Sequence, residues 1–479
     1  MATPITVQED FLYLRIADRL QVQIEQQVLK TGDRLPSVRA LSKEQGISIT
    51  TAFQAYSELE IKGLIEARPK SGYYVRFTPS QFPRLMAKQH KERPKKVSVE
   101  SITSLIYQKM RQEGVTKFSL AVPSIDLLPE AKLNKSMMEA IRKSPTSCLE
   151  YEDTQGNPSL RSQLARYTFN WGGQHTADDI VTTQGCMEAL GFCLKAVTDP
   201  GDTVAIETPT YFGIFNVLQS LGLKALEVPV DPTTGLDIEY LEKALDTVKI
   251  KACLFVTSFN NPTGCDMPVE RKKQLVTLLS DRDIPLIEDD IYGEMYFGKT
   301  RPLPCKAFDT KGIVLLCSSI SKTLAPGYRV GWCIPGKFLD KVIHLKLMHI
   351  VSSATPTQAA IAHFLETGRY DLHMRNLRKA LHTQCLLYTQ AIARFFPPDT
   401  KVSRPAGGFV LWIEMNEAVN TMELFHEALD HGISIAPGQL FNADGRFNHH
   451  IRISFGSTYN TTIEKSLQTL GRLVKNKQA

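Results

Sequence analysis

Ile313-Val314-Leu315-Leu316-Cys317-Ser318-Ser319-Ile320-Ser321-Lys322-Thr323-Leu324-Ala325-Pro326-Gly327-Tyr328-Arg329-Val330-Gly331-Trp332 opens with five apolar residues and passes at once into hydroxyls, a lysine and an arginine. A short apolar run ending in turn residues is the pattern of a strand buried on both faces. Polar groups just beyond the C-terminal end of such a strand stand where open α/β sheets bind ligands. Similar runs occur at 203–206, 225–228, 252–256 and 285–287, with helical stretches between most of them. This alternation predicts an α/β domain with a mainly parallel sheet covered by helices on both faces. From about 371 to 479 the pattern mixes helices with strands at 408–414 and 451–455, which predicts a smaller C-terminal α/β lobe.

The N-terminal part reads differently. Leu12, Ile16, Leu20, Ile24 and Val28 recur every four residues, which predicts an amphipathic helix over 12–30 that Thr31-Gly32-Asp33 ends. Pro36-Ser37 starts a second short helix with Ser37 as its N-cap and Val38 and Leu41 on one face, and Gly46 closes it. Ser48 or Thr50 opens a third helix running to about Lys62, with Ala52, Ala55, Tyr56 and Leu59 at helical spacing. Two short strands, 64–67 and 73–77, flank Pro69-Lys70-Ser71-Gly72 and predict a hairpin. Three helices and a hairpin describe a winged helix-turn-helix. Beyond it the pattern is lost. Pro79, Pro83 and Pro94 punctuate a run rich in Arg and Lys, an interdomain linker with a helical tendency near 84–89. The expected boundaries are a winged helix over 8–77, a basic linker over 78–104, a large domain over 105–370 and a small lobe over 371–479.

Composition sets the outer limits. The chain has 479 residues, 43% hydrophobic and 22% charged, which excludes disorder throughout and implies two or three domains. No apolar stretch approaches the length of a membrane span, and the first ten residues lack the basic start of a secretory signal. Nine cysteines are spread from Cys148 to Cys385 without a CxxC pair, which reads as reduced thiols in a cytoplasmic protein, with no zinc site or other metal centre. The net charge is +6, and about +5 of it lies in the first 100 residues, much of it between Phe77 and Val97. That asymmetry suggests an anionic partner near the N-terminal part, but on charge alone a solvated linker is the better explanation.

The N-terminal elements Gly32 to Leu41, Ser48 to Tyr56, Leu59 to Ile65 and Ser71 to Val75 resemble, in order, the GntR family of bacterial winged-helix DNA-binding domains over about residues 10–77. The resemblance implies a double-stranded DNA operator as partner. A recognition helix offers its N-terminal side chains to the major groove. Here these are Ser48, Thr50, Thr51 and Gln54, within a contact stretch that runs from Ser48 to Tyr56. Their hydroxyls suit phosphates and the amide suits an adenine edge. Arg34, Ser37 and Arg39 flank the second helix and stand near phosphates, and Gly72 at the wing tip permits close backbone approach to the minor groove. The family commonly has a basic residue just before the paired threonines; here it is Ile49.

The lysine segment around Lys322 resembles that of fold-type I pyridoxal-phosphate aminotransferases, and companion motifs follow in family order over about residues 115–475. The resemblance implies pyridoxal 5'-phosphate as cofactor, with Lys322 as the residue that joins it covalently and serves as the catalytic base. Ser319, Ser321 and Arg329 would meet its phosphate, as would the backbone N–H groups of Gly185, Cys186 and Met187 at a helix start. Tyr211 matches the ring that stacks on the pyridine, Asn261 and Tyr292 the partners of the phenolic oxygen, and Asp289 the carboxylate on the pyridine nitrogen. Asp290 is the rival for that role; the three-residue spacing to Tyr292 favours Asp289. Arg452 matches the clamp for a substrate α-carboxylate. Tyr151 matches a residue that reaches a phosphate, across a dimer interface. His449 and His450 stand either near a ligand or as surface polar groups.

A GntR-like winged helix joined to an aminotransferase-like domain is the plan of MocR-type transcriptional regulators. The resemblance implies a bacterial, homodimeric regulator whose large domain senses the cofactor, or an amino compound such as an amino acid held as an external aldimine. The alternative is a working aminotransferase that carries a DNA-binding appendage.

Overall fold

The apolar repeat of the N-terminal stretch forms helix α1 (Leu12–Glu25), which buries Ile16, Ala17 and Ile24. It stops short of the expected residue 30. Val28 is 66% exposed, so the repeat runs out of core to cover, and a helix extended without burial gains little. In helix α2 (Val38–Gln45) the hydroxyl of Ser37 accepts the Ala40 N–H at 3.1 Å, and Gly46 ends the helix in the left-handed region at φ 63°. Ser48 caps helix α3 (Ile49–Ile61) by accepting the Thr51 N–H at 3.0 Å. Strands β1 (Ile65–Arg68) and β2 (Gly72–Val75) pair antiparallel with Arg68 opposite Gly72. Ala52, Ala55, Tyr56 and Leu59 close the core against Leu41, Leu64 and Ile65.

The computed structural model describes residues 12–26, 28–68, 71–76, 94, 114–144, 146 and 149–478. Apart from Pro94, the basic linker with its helical stretch near 84–89 lies outside the described residues.

The chain resumes with the short strand β3 (Thr116–Lys117) and then builds an eight-stranded sheet. Its members are β4 (Val181–Thr183), β5 (Thr203–Thr208), β6 (Lys224–Asp231), β7 (Gly235–Leu236), β8 (Ile250–Phe255), β9 (Leu286–Asp289), β10 (Val314–Ser319) and β11 (Gly331–Ile334). They lie in the order β4-β11-β10-β9-β8-β5-β6-β7. The central pairs are parallel, while β11 runs antiparallel to both its neighbours and β7 antiparallel to β6. Every residue of β5 and β10 is buried, which is why these strands read as continuous apolar runs. Helix α4 (Cys186–Val197) packs on β9, β10 and β11.

The C-terminal lobe starts with a 27-residue helix, α5 (Arg369–Phe395). It holds an antiparallel sheet of β12 (Lys401–Val402), β13 (Val410–Glu414), β15 (Ala436–Pro437) and β16 (His450–Ser454), with β14 (Ile433–Ser434) beside it, and closes with helix α6 (Thr461–Gln478). One boundary differs from expectation. Residues 116–119, expected in the large domain, are stitched to this lobe: β3 pairs parallel with β14, Ser119 N donates to Ser434 O and Ser454 N to Phe118 O, both at 2.8 Å. An extended segment must satisfy its amides and carbonyls, and the open edge of β14 supplies the partners. The eight described cysteines are buried and unbridged. Among the described residues, no helix is long and apolar enough to cross a membrane.

Candidate cofactor and DNA-binding sites

The strand ends converge on one cleft of about 240 Å³. β10 delivers Ser319, Ser321 and Lys322 to it; β9 delivers Asp289 and Tyr292; the turn after β8 brings Asn261; Tyr211 precedes the helix that follows β5. Cys186, Met187, Arg329 and Arg452 complete the expected set, with Gly185 just behind Cys186. The residues from Gly185 to Arg329 meet because the loops of the large sheet emerge at one edge, and Arg452 comes from β16 of the small lobe facing that edge.

Lys322 Nζ donates to the carbonyl oxygen of Ala121 at 2.7 Å. Burial, reinforced by the Arg452 guanidinium, lowers the Lys322 amine from its ordinary value to about 8, and Asp289 opposes the shift. Burial raises Asp289 to about 6, against hydrogen bonds from Cys186 Sγ at 3.3 Å and from Ile291 N–H at 3.2 Å. Asp290 turns the other way. It forms a buried ion pair with Arg301, which also binds Glu294 at 2.7 Å, so the geometry favours Asp289 as the carboxylate of the cleft. Asn261 Nδ2 donates to Tyr292 Oη at 3.3 Å while its Oδ1 accepts Arg452 Nη1 at 3.2 Å. Buried Glu207 holds the turn that presents Asn261 by accepting Val256 N–H at 2.6 Å and the side-chain amide of Asn260.

At the other end of the cleft Gly185 occupies the N-cap of α4 at φ 91°, and a Cβ there would run into Arg329. A Cβ at Gly331 would collide with the backbone of Gly185. Arg329 itself donates to Gln184 O at 2.9 Å and to Ser321 Oγ at 3.3 Å. A helix start with orphan N–H groups, an arginine and two hydroxyls form an anion cradle. Together with the amine and the buried carboxylate, this donor set fits pyridoxal phosphate.

Several residues fall outside the cleft. Tyr151 is 87% exposed and lines no part of it within one chain. His449 and His450 lie near Glu414 at the edge of the small sheet, where Lys401 Nζ pairs with Glu414 at 2.8 Å, and neither lines the cleft. Sequence reasoning missed three features: the Ser119 and Ala121 carbonyls, the Cys186–Asp289 bond and the support from Glu207. A backbone carbonyl has no signature in a sequence; a buried glutamate at the end of an apolar strand was the one available signal.

On the winged helix, Arg34, Ser37, Arg39, Ser48, Thr50 and Gln54 are exposed. Thr51 is half-buried, and its hydroxyl shares a hydrogen bond with Ser48 at 2.8 Å. Arg34 lies beside Gly72, whose φ of 104° suits the turn of the wing. Tyr56 corrects the expected contact stretch. It is fully buried, and its hydroxyl donates to Pro36 O at 2.7 Å, so it joins α3 to the start of α2 and faces the core of the winged helix. Phe53, 53% exposed one turn after exposed Ile49, was overlooked.

An exposed helix at the front of a wing, followed by a body that converges a lysine, a buried carboxylate and an anion cradle, defines a DNA-binding regulator with an aminotransferase-like domain. The chain belongs to the gntR family of bacterial regulatory proteins, matched over residues 12–75, and to the aminotransferase class I and II family, matched over 116–470. This is the two-domain plan of MocR-type regulators. The chain is 38% identical over 466 residues to the HTH-type transcriptional regulator YdcR of Escherichia coli, covering 97% of this chain and 99% of that one. It is 36% identical to the HTH-type transcriptional regulator YjiR of the same organism, covering 96% and 98%. Among solved structures, α-aminoadipate aminotransferase from Thermus thermophilus, complexed with N-(5'-phosphopyridoxyl)-L-leucine, superimposes with a TM-score of 0.73 at 25% identity, covering 80% of this chain and 96% of that one. The fold and these neighbours imply a pyridoxal-phosphate site.

Proposed function

We propose that the protein is a transcriptional regulator that holds pyridoxal phosphate at Lys322 and changes its grip on operator DNA when the cofactor, or an amino compound with it, fills the cleft. Bound there, the cofactor supplies an aldehyde carbon that primary amines attack reversibly. Asp289 holds the pyridine nitrogen, Tyr211 covers the ring, Asn261 and Tyr292 hold the phenolic oxygen, and the Gly185–Met187 amides with Ser319, Ser321 and Arg329 hold the phosphate. Arg452 takes a carboxylate.

The observation that carries the reading is the double hold on residues 119–121. Ala121 O accepts from Lys322 and Ser119 O from Arg452, and the same segment is stitched to the C-terminal lobe through β3. A ligand that engages Lys322 and Arg452 competes with both carbonyls. In sequence β3 lies on the side of the domain toward the linker, and a shift of the segment is the proposed route to the DNA-binding unit. Such coupling follows only from differential binding to two arrangements. In the proposed homodimer, exposed Leu149 and Tyr151 are covered, and Tyr151 reaches the partner's phosphate site.

The test is operator binding, on a duplex selected from a random pool, with and without pyridoxal phosphate and with a panel of amines. A cofactor fixed at Lys322 by borohydride together with altered DNA affinity supports the reading; identical affinity in every condition defeats it. One observation favours turnover as a second reading: an amine lowered to about 8 is suited to carry a proton from a substrate α-carbon. Formation of a 2-oxo acid from an added amino acid tests it.

A further inference from the structure

Resting on that reading, we infer that the amino compound accepted by the cleft is a neutral α-amino acid with an apolar side chain. The charges of the cleft carry the argument. Among the described residues its wall holds three cations, Lys322, Arg329 and Arg452. Lys322 stands at the amine position. Arg329 is tied to Gln184 O and Ser321 Oγ in the cradle beside α4. Arg452 lies across the cleft on β16, its guanidinium 5.5 Å from the ring of Phe441, and takes one carboxylate in exchange for Ser119 O. A second carboxylate on the ligand meets no further cation.

The reverse holds for a basic side chain. Among the described residues Asp289 is the single carboxylate of the wall, buried and already held by Cys186 and Ile291 N–H. A side-chain ammonium meets no available anion. An unpaired charge moved out of water is strongly disfavoured, so both ligand classes are selected against. Apart from the groups assigned to the cofactor, the lining is mostly apolar: Leu120, Ala121, Phe212, Val256 and Ile291. Phe212 sits 4.6 Å from Tyr211 and 6.3 Å from the buried ring of Phe441, against which the Arg452 guanidinium stands, so aromatic packing connects the cleft lining with Arg452. An aliphatic or aromatic side chain gains burial there without leaving a polar group unmatched.

The test uses the full-length protein loaded with pyridoxal phosphate and follows the cofactor's visible absorbance band. The ligands are L-leucine, L-methionine, L-phenylalanine, L-glutamate, L-lysine and 3-methylbutylamine, which is leucine without its carboxylate. The three neutral acids are expected to shift the band at concentrations at least about tenfold below those needed for glutamate, lysine or the amine, the effect of one unmatched polar or charged group. Glutamate or lysine acting as well as leucine overturns the inference. A band that borohydride fixes at Lys322, yet that no amino acid shifts, overturns it while leaving the cofactor reading intact; no band at all overturns both. Leu120→Lys places a cation in the apolar wall and is expected to narrow the preference for leucine over glutamate by about tenfold. An unchanged ranking in that variant shows that this wall does not face the side chain and also overturns the inference.

Discussion

The winged helix and the cofactor cleft use polar side chains in opposite ways. On α3 the groups proposed to meet DNA stand in water, at the front of a thirteen-residue helix, with Thr50 and Gln54 exposed. In the cleft Asp289 and Arg452 are buried and Lys322 is partly buried, and they are already held by a thiol, backbone carbonyls and the Asn261 amide. Solvated groups lose hydration only when a partner arrives, so each contributes a modest and additive share. Buried groups have lost it beforehand, and their loss or replacement disturbs neighbours. Lys322→Ala is therefore the sharpest way to separate the two regions. It is expected to abolish borohydride-stable incorporation of the cofactor completely while leaving the DNA-binding unit folded. Mass spectrometry of the reduced protein checks the first part and operator binding without cofactor the second.

Asp289→Ala comes next. Removing a charge-assisted hydrogen bond of about 1.5–3 kcal/mol is expected to weaken cofactor binding by roughly 10- to 100-fold, read by absorbance titration. The cleft also sets a pH dependence. Because Lys322 is lowered to about 8, its neutral, nucleophilic form grows as pH rises through that value and levels off above it. The rate of cofactor capture by apo-protein is expected to follow that curve. Arg452→Leu removes a cation that disfavours the charged amine, so the curve moves to higher pH. A curve unmoved by this change would show that Arg452 does not act on Lys322.

How much of this was legible in the sequence follows from the same contrast. Polar residues at strand ends, such as Lys322, Asp289 and Asn261, carry recognisable side chains beside apolar runs, and the sheet brings them to one cleft. The choice between Asp289 and Asp290 rested on spacing alone; Arg301, eleven positions beyond Asp290, is what engages the rival, and no local pattern announces a partner at that distance. The attachment of residues 116–119 to the C-terminal lobe was hidden because it is made by backbone groups, which every residue has. On α3 the periodicity located the helix, but its register against the core was misjudged at Tyr56, since an amphipathic ring at helical spacing serves core and surface equally well.

That misjudged ring gives the two smallest effects. Gln54→Ala removes an exposed amide at the front of α3 and is expected to weaken operator binding by about 1–3 kcal/mol and relax sequence preference, without changing stability. Tyr56→Phe should behave in the opposite sense. It deletes the hydroxyl that donates to Pro36 O and keeps the ring among Ala52, Ala55 and Tyr73. The expected loss is about 0.5–1.5 kcal/mol in the unfolding of the winged helix, measured by denaturant titration, with operator affinity unchanged once the folded fraction is accounted for. Burial makes the difference: a ring at zero exposure has no surface to offer a base or a phosphate. If Tyr56→Phe instead weakened DNA binding as much as Gln54→Ala while stability held, α3 would have to rotate about its axis on the operator, and the assignment of its outer face to Ile49, Thr50, Phe53 and Gln54 would fall with it.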